Sequence, residues 1–178
     1  MLDKAYKLSQ QKKYDKAIKI YTDVIIRNDK LQIAYYNRGL AYIAAKQYRN
    51  ALADFDKVMS LKTVGGIIMT YNQDFPLAAE ETRAQVPYDD ALYQRAQVKY
   101  FMDNLGSSFI DFRTLVDKDY QEKSNCILWQ GTICVRSGKT DKGCEYFDKA
   151  KQFAVTDDDK NEADEMINTY CGLKNNGR

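Results

Sequence analysis

The chain of 178 residues has no histidine, two prolines and one tryptophan. Without His the commonest general acid–base group is missing, and so is half of the usual zinc ligand set. The four cysteines, Cys126, Cys134, Cys144 and Cys171, contain no Cys-x-x-Cys pair, so no metal is expected. Gly65-Gly66 lacks a downstream Lys-Ser/Thr pair and is not a phosphate loop; no Gly-x-Ser-x-Gly elbow occurs. Asp89-Asp90 and Asp157-Asp158-Asp159 stand where helices are expected to start, and capping explains them better than catalysis. The expectation is a non-catalytic protein without a cofactor. No run of 18 apolar residues exists, which excludes a membrane-spanning helix. No signal peptide is visible at Met1, although Met1 falls inside the first expected helix. A soluble cytoplasmic protein is the default; a trimmed leader would make it periplasmic or exported.

Aromatic residues are abundant: fourteen Tyr and seven Phe in a chain that is 44% apolar, enough for a sizeable core in one domain. Net charge is only +2, but it is segregated. Residues 1–62 carry thirteen Lys/Arg against six Asp, a net +7, and residues 63–178 carry fourteen Lys/Arg against nineteen Asp/Glu, a net −5. Such a field can steer an acidic partner to the front half or bring copies together head to tail; spread over outer helix faces it simply keeps the chain soluble. A pI of 8.2 is below that of a dedicated nucleic-acid module, so nucleic acid is not an expected partner.

The organising signal is a register. Ala5, Leu8, Tyr14, Ala17, Ile18, Tyr21 and Val24 recur 34 positions later as Gly39, Tyr42, Tyr48, Ala51, Leu52, Phe55 and Val58. A period of this length marks stacked helix–turn–helix units. The small residues Ala5/Gly39 and Ala17/Ala51 suit a helix crossing, where backbones approach closely and neighbouring aromatics fill the space. Tyr21 and Phe55 lie four residues after the second small residue, on the same helix face. A third unit reads Ala96, Tyr100, Leu105, Ser108, Phe109, Phe112 and Leu115, 57 residues after the second; a fourth reads Gly131, Cys134, Thr140, Gly143, Cys144, Phe147 and Ala150, shifted by 35.

The segment Ala34-Tyr-Tyr-Asn-Arg-Gly39 with Tyr42, Tyr48, Ala51, Phe55 and Val58 closely resembles the tetratricopeptide repeat pattern, except that Asp29 and Thr63 stand near the family's usual proline. The resemblance implies an all-α, right-handed superhelical stack of helix–turn–helix repeats: about 1–30, 31–62, 88–120 and 121–154, with an insertion at 63–87. Helices are expected at about 1–11, 14–28, 31–45, 48–62, 88–103, 106–118, 121–137 and 140–154. In the insertion, Asp74 to Gln85 reads as a short helix and Ile67, Ile68, Met69 and Tyr71 are apolar enough to pack. Ala163, Met166, Ile167, Tyr170 and Cys171 form one apolar stripe, so a capping helix is expected within 157–172, with Asp157 as its cap and residues 173–178 frayed. The stretch Gly143-Cys-Glu-Tyr-Phe-Asp-Lys-Ala150 followed by Tyr170-Cys171 also resembles the tail of small Bacteroidetes repeat proteins, which implies a bacterial source.

In that family the inner face is lined by the first helix of each pair. Carried onto this chain, the groove comprises Tyr6, Ser9 and Gln10; Tyr36, Asn37, Leu40 and Ile43; Asp90, Tyr93, Gln94, Gln97, Tyr100 and Phe101; and Leu128, Trp129, Thr132 and Arg136. Tyrosines and amides predominate, a combination suited to apolar side chains and a peptide backbone. The implied function is an adaptor that holds a peptide segment of another protein; the alternative is a structural, self-associating repeat protein. Asp90 and Gln94 stand where a chaperone-type carboxylate clamp requires Lys and Arg, so that role is rejected. Trp129 and Tyr93 suit packing between helices equally well. Cys144 and Cys171 face one seam, which leaves a disulfide or two buried thiols, the thiols being preferred.

Overall fold

The computed structural model describes residues 1–61 and 86–172. The expected insertion up to residue 85, with its short helix, and the expected frayed end lie outside the described residues. Among the described residues all regular structure is helical: α1 (Leu2–Gln10), α2 (Tyr14–Arg27), α3 (Gln32–Ala44), α4 (Tyr48–Ser60), α5 (Tyr88–Phe101), α6 (Leu105–Asp117), α7 (Lys123–Arg136), α8 (Thr140–Phe153) and α9 (Asp157–Tyr170). No described helix is long and apolar enough to cross a membrane. Each boundary falls within about two residues of the sequence expectation.

Two compact units result, Met1–Met102 and Asp103–Arg178. The boundary falls inside the segment expected as the third repeat. In the first unit each helix packs on the next in chain order from α1 to α5; in the second, α6 packs on α7, α7 on α8 and α8 on α9.

The small residues sit where the register requires. Ala5, Ala17, Ala51, Ala96 and Ser108 are 0% exposed. A methyl group on Gly39 would lie 2.8 Å from the Phe55 ring, and one on Gly131 would lie 2.5 Å from Phe147 and 3.0 Å from the Gly143 carbonyl. The aromatics Tyr21, Phe55, Phe112 and Phe147 are at most 1% exposed, and Phe55 and Phe147 fill the crossings at Gly39 and Gly131. The apolar stripe of each second helix therefore holds the stack together by burial, at about 25 cal/mol per Å² of apolar surface.

A second periodic feature was not legible in residue types. The turns that join the two helices of a pair each contain one left-handed residue: Lys12 (φ 58°), Lys46 (59°), Asp103 (63°) and Gly138 (76°). They follow the same shifts of 34, 57 and 35 as the small residues, yet only the last is glycine. The other three carry the Cβ penalty of that conformation.

The start of α9 corrects one expectation. Its cap is Thr156, not Asp157: the Asp159 amide donates to Thr156 Oγ1 (3.1 Å), and the Thr156 amide donates to Asp159 Oδ2 (3.1 Å). This capping box satisfies two otherwise orphaned donors.

Candidate functional site

The first helices of the pairs, α1, α3 and α5, present one face of the first unit. Between α1 and α3 lies an open pocket of about 330 Å³, lined by Tyr6, Ser9, Gln10, Lys12, Tyr14, Tyr21, Asn37, Leu40 and Ala41. Of the expected groove residues it gathers Tyr6, Ser9, Gln10, Asn37 and Leu40. Helical spacing does this: Tyr6, Ser9 and Gln10 lie three and four apart on α1, and Asn37, Leu40 and Ala41 do the same on α3. The left-handed turn at Lys12 brings Lys12 and Tyr14 to the rim. No carboxylate is among the lining residues. Ser9 Oγ is buried and has no hydrogen-bond partner among the described residues. A buried hydroxyl without a partner costs roughly 1–3 kcal/mol.

Along the same face toward α5, Tyr36 is half-buried. Its ring meets Phe55 edge to face at 5.8 Å, and its hydroxyl shares a hydrogen bond with the Gln94 side chain. Burial first, and nearby Asp90 second, push the Tyr36 phenol up to about 12 against the opposing Gln94 bond, so it stays a neutral hydroxyl. Tyr93 and Gln97 are half-buried on α5. Tyr100 meets Phe101 edge to face at 5.7 Å, and Phe101 stacks on Tyr48 of α4 at 5.3 Å, so this pair serves helix packing.

Behind the face, Arg38 is held between the Tyr35 and Tyr42 rings, 5.5 and 5.7 Å from their centroids. Its Nε and NH2 donate to Asp54 (2.9 and 2.7 Å), and its NH1 donates to Thr22 Oγ1 (3.0 Å). One guanidinium thus ties α2, α3 and α4 together. Burial raises the Asp54 carboxyl above the usual aspartate value, opposed by the Arg38 hydrogen bond, and that bond raises Arg38.

Gln32 is a residue that sequence reading missed. It is 7% exposed, and its Nε2 donates to the carbonyls of Val58 (3.2 Å) and Leu61 (2.7 Å) while its Oε1 accepts from the Val86 amide (3.2 Å). One amide therefore pins the end of α4 to the start of the segment leading into α5. In the second unit Ser124, also seven residues before the small crossing residue, donates to the Ala150 carbonyl (2.9 Å), again 26 residues on. The shared offset is the one sequence signal that links them.

In the second unit Trp129 stacks on Phe112, centroids 5.7 Å apart and planes 3° apart, a packing contact. Arg136 is exposed and pairs with Asp103 at 3.0 Å. Cys144 and Cys171 are joined by a disulfide with Cα atoms 5.9 Å apart, where two thiols were the preferred reading. Cys126 and Cys134 are free and buried, and burial pushes the Cys126 thiol up to about 12. No group of three or more metal-ligating residues occurs among the described residues.

Residues 33–63 match the family model for a tetratricopeptide repeat. No curated protein matches the chain. The fold is similar to the crystal structure of MamA (TM-score 0.64, 13% identity, 94% of this chain and 92% of that one) and to a MamA RS-1 ArsTM double mutant (0.60, 17%, 94% and 74%). It is also similar to YrrB, described as a tetratricopeptide repeat protein with an unusual peptide-binding site (0.58, 15%, 99% and 86%).

Proposed function

On the premise that this chain is a tetratricopeptide repeat protein by fold, and so an interaction scaffold, we propose that the face of α1, α3 and α5 holds a peptide segment of another protein. The observation that carries this reading is the pocket between α1 and α3, where tyrosine and leucine walls meet two amides and an unpartnered, buried serine hydroxyl. Pockets of this type are concave, mostly apolar and marked by a few placed polar groups. The walls accept an apolar side chain, and Gln10 and Asn37 hydrogen-bond its backbone. Gln94 and Gln97 offer further amides along α5. The role is non-catalytic. The peptide-binding site ascribed to YrrB on a similar fold is consistent with this use of the face.

The test places a photo-crosslinking residue at Tyr6 and, as a control, at exposed Arg49, in cells of the native organism. The expected result is a crosslink to one peptide of another protein from position 6 and not from 49. An Asn37→Ala, Leu40→Ala variant should abolish it, since each anchoring contact is worth about 2 kcal/mol or more. Equal crosslinking by the variant would overturn the reading. Crosslinks to the chain itself would favour the self-associating alternative.

A further inference from the structure

We propose that the Cys144–Cys171 bridge is a redox-operated latch that holds α9 on the second unit and releases it on reduction. The packing beneath α9 is thin. Ala163 is its one buried residue, and Met166, Ile167 and Cys171 are only partly covered where they meet Ile127, Leu128, Phe147 and Ala150. Tyr170 reaches the Phe147 ring at 6.1 Å but is itself 38% exposed. The single ion pair joining α8 to α9 among the described residues, Lys151 to Asp164 at 2.6 Å, is close to half exposed on both sides and contributes little.

The helix is also crowded with like charge. It carries Asp157, Asp158, Asp159, Glu162, Asp164 and Glu165 against Lys160 alone. The three acids of the first turn favour the helix N-terminus, but Glu162 and Glu165 lie beyond it. With one buried side chain and a net charge of −5, the helix is thinly held by packing, and the covalent tie adds to that hold.

The bridge is the one reachable sulfur site. Cys126 is 0% and Cys134 7% exposed, whereas Cys144 and Cys171 are both partly open to solvent. A dithiol reductant can therefore act here and not at the free thiols. Its thiolate attacks one bridge sulfur, forms a mixed disulfide and expels the other cysteine as a thiolate. Its second thiol then displaces the remaining protein sulfur. The reductant ends as its own disulfide, and its two protons end on Cys144 and Cys171. Release of α9 uncovers the sides of Phe147 and Ala150 that face it, both residues being 0% exposed while the latch is closed.

The experiment is amide hydrogen exchange read by mass spectrometry on the whole chain, with and without dithiothreitol under native conditions. A Cys144→Ser, Cys171→Ser variant serves as a permanently open form. The expected result is faster exchange over 157–170, by roughly tenfold to a hundredfold, in both the reduced chain and the variant, with α2 and α3 unchanged. Unchanged exchange over 157–170 in the variant would overturn the latch. So would equal acceleration of all helices, which would make the bridge a general staple. A bridge that resists dithiothreitol until the protein is denatured would overturn it as well.

Discussion

The two units solve the same packing problem with different margins. In the first, the crossings pair Ala5 with Ala17 and Gly39 with Ala51, and a polar scaffold runs behind them. Arg38 ties three helices together, and Gln32 makes three hydrogen bonds. In the second, α7 and α8 cross at two glycines, and a methyl on either would meet the other's carbonyl at 3.0 Å. Both units leave a pocket open, lined by α1 and α3 in the first and by α6 and α7 in the second, and the second is finished by a bridged, acidic helix. The second unit adds a tight backbone contact and a covalent tie, and it too buries polar side chains, Ser108, Asp111, Ser124 and Gln130. Identical register positions thus specify geometry, while the residue types placed there decide how much of it is apolar contact and how much is hydrogen bonding.

The sharpest way to break this comparison is at the glycines. Gly131→Ala should cost about 3 kcal/mol, because its methyl meets both the Phe147 ring and a backbone carbonyl that cannot move alone. Gly39→Ala, which meets only the Phe55 ring, should cost about 2 kcal/mol. Urea unfolding of the two variants would show the order; equal losses would mean that the second crossing is no tighter than the first.

The polar positions come next. Gln32→Ala strands the Leu61 carbonyl and the Val86 amide, the Val58 carbonyl keeping its bond from the Leu61 amide, and should cost about 2 kcal/mol, against about 1 kcal/mol for Ser124→Ala, which removes one bond to a carbonyl. Hydrogen exchange in α4 and α5 should accelerate in the first variant and in α8 in the second. A reversed order would show that the equivalent offset does not carry equivalent bonding.

The smallest effect lies at the capped end. Thr156→Ala should cost about 1 kcal/mol through loss of the capping box. The hydrogen bonds from the Thr156 hydroxyl and amide hold the Asp159 carboxyl below the ordinary 3.8. A depressed carboxyl contributes stability above its unfolded value that is lost as pH falls through its folded value. The difference between wild type and Thr156→Ala should therefore be constant from neutral pH down to about 4 and shrink below it. Circular dichroism against pH for both chains measures this, and a gap that persists under acid would assign the cap to the hydroxyl alone.

Much of this molecule was legible in advance. The small–aromatic register located the crossings of α3 with α4 and of α7 with α8, because a residue without a side chain at a helix contact admits few substitutes, and Phe55 and Phe147 fill the space that Gly39 and Gly131 leave. The apolar stripe of α9 was legible because a helix covering a stack end buries one side only. Asp157 was misread as its cap, since Thr156 and Asp159 form a reciprocal pair that a single-residue rule does not find.

The amino-acid order settled which residues could serve as crossings, stripes and inner-face side chains, since these follow from periods of 3.6 and 34 residues that need no knowledge of neighbours. Only the tertiary structure decided what each of those side chains meets. Tyr6, Asn37 and Leu40 share a pocket with Ser9, while Tyr36 bonds Gln94, Trp129 is spent on Phe112 and Cys144 is joined to Cys171. The reason is physical: periodicity assigns a side chain to a face, but whether it meets solvent or another side chain depends on the distance to an element far away in sequence, and no local pattern encodes that distance.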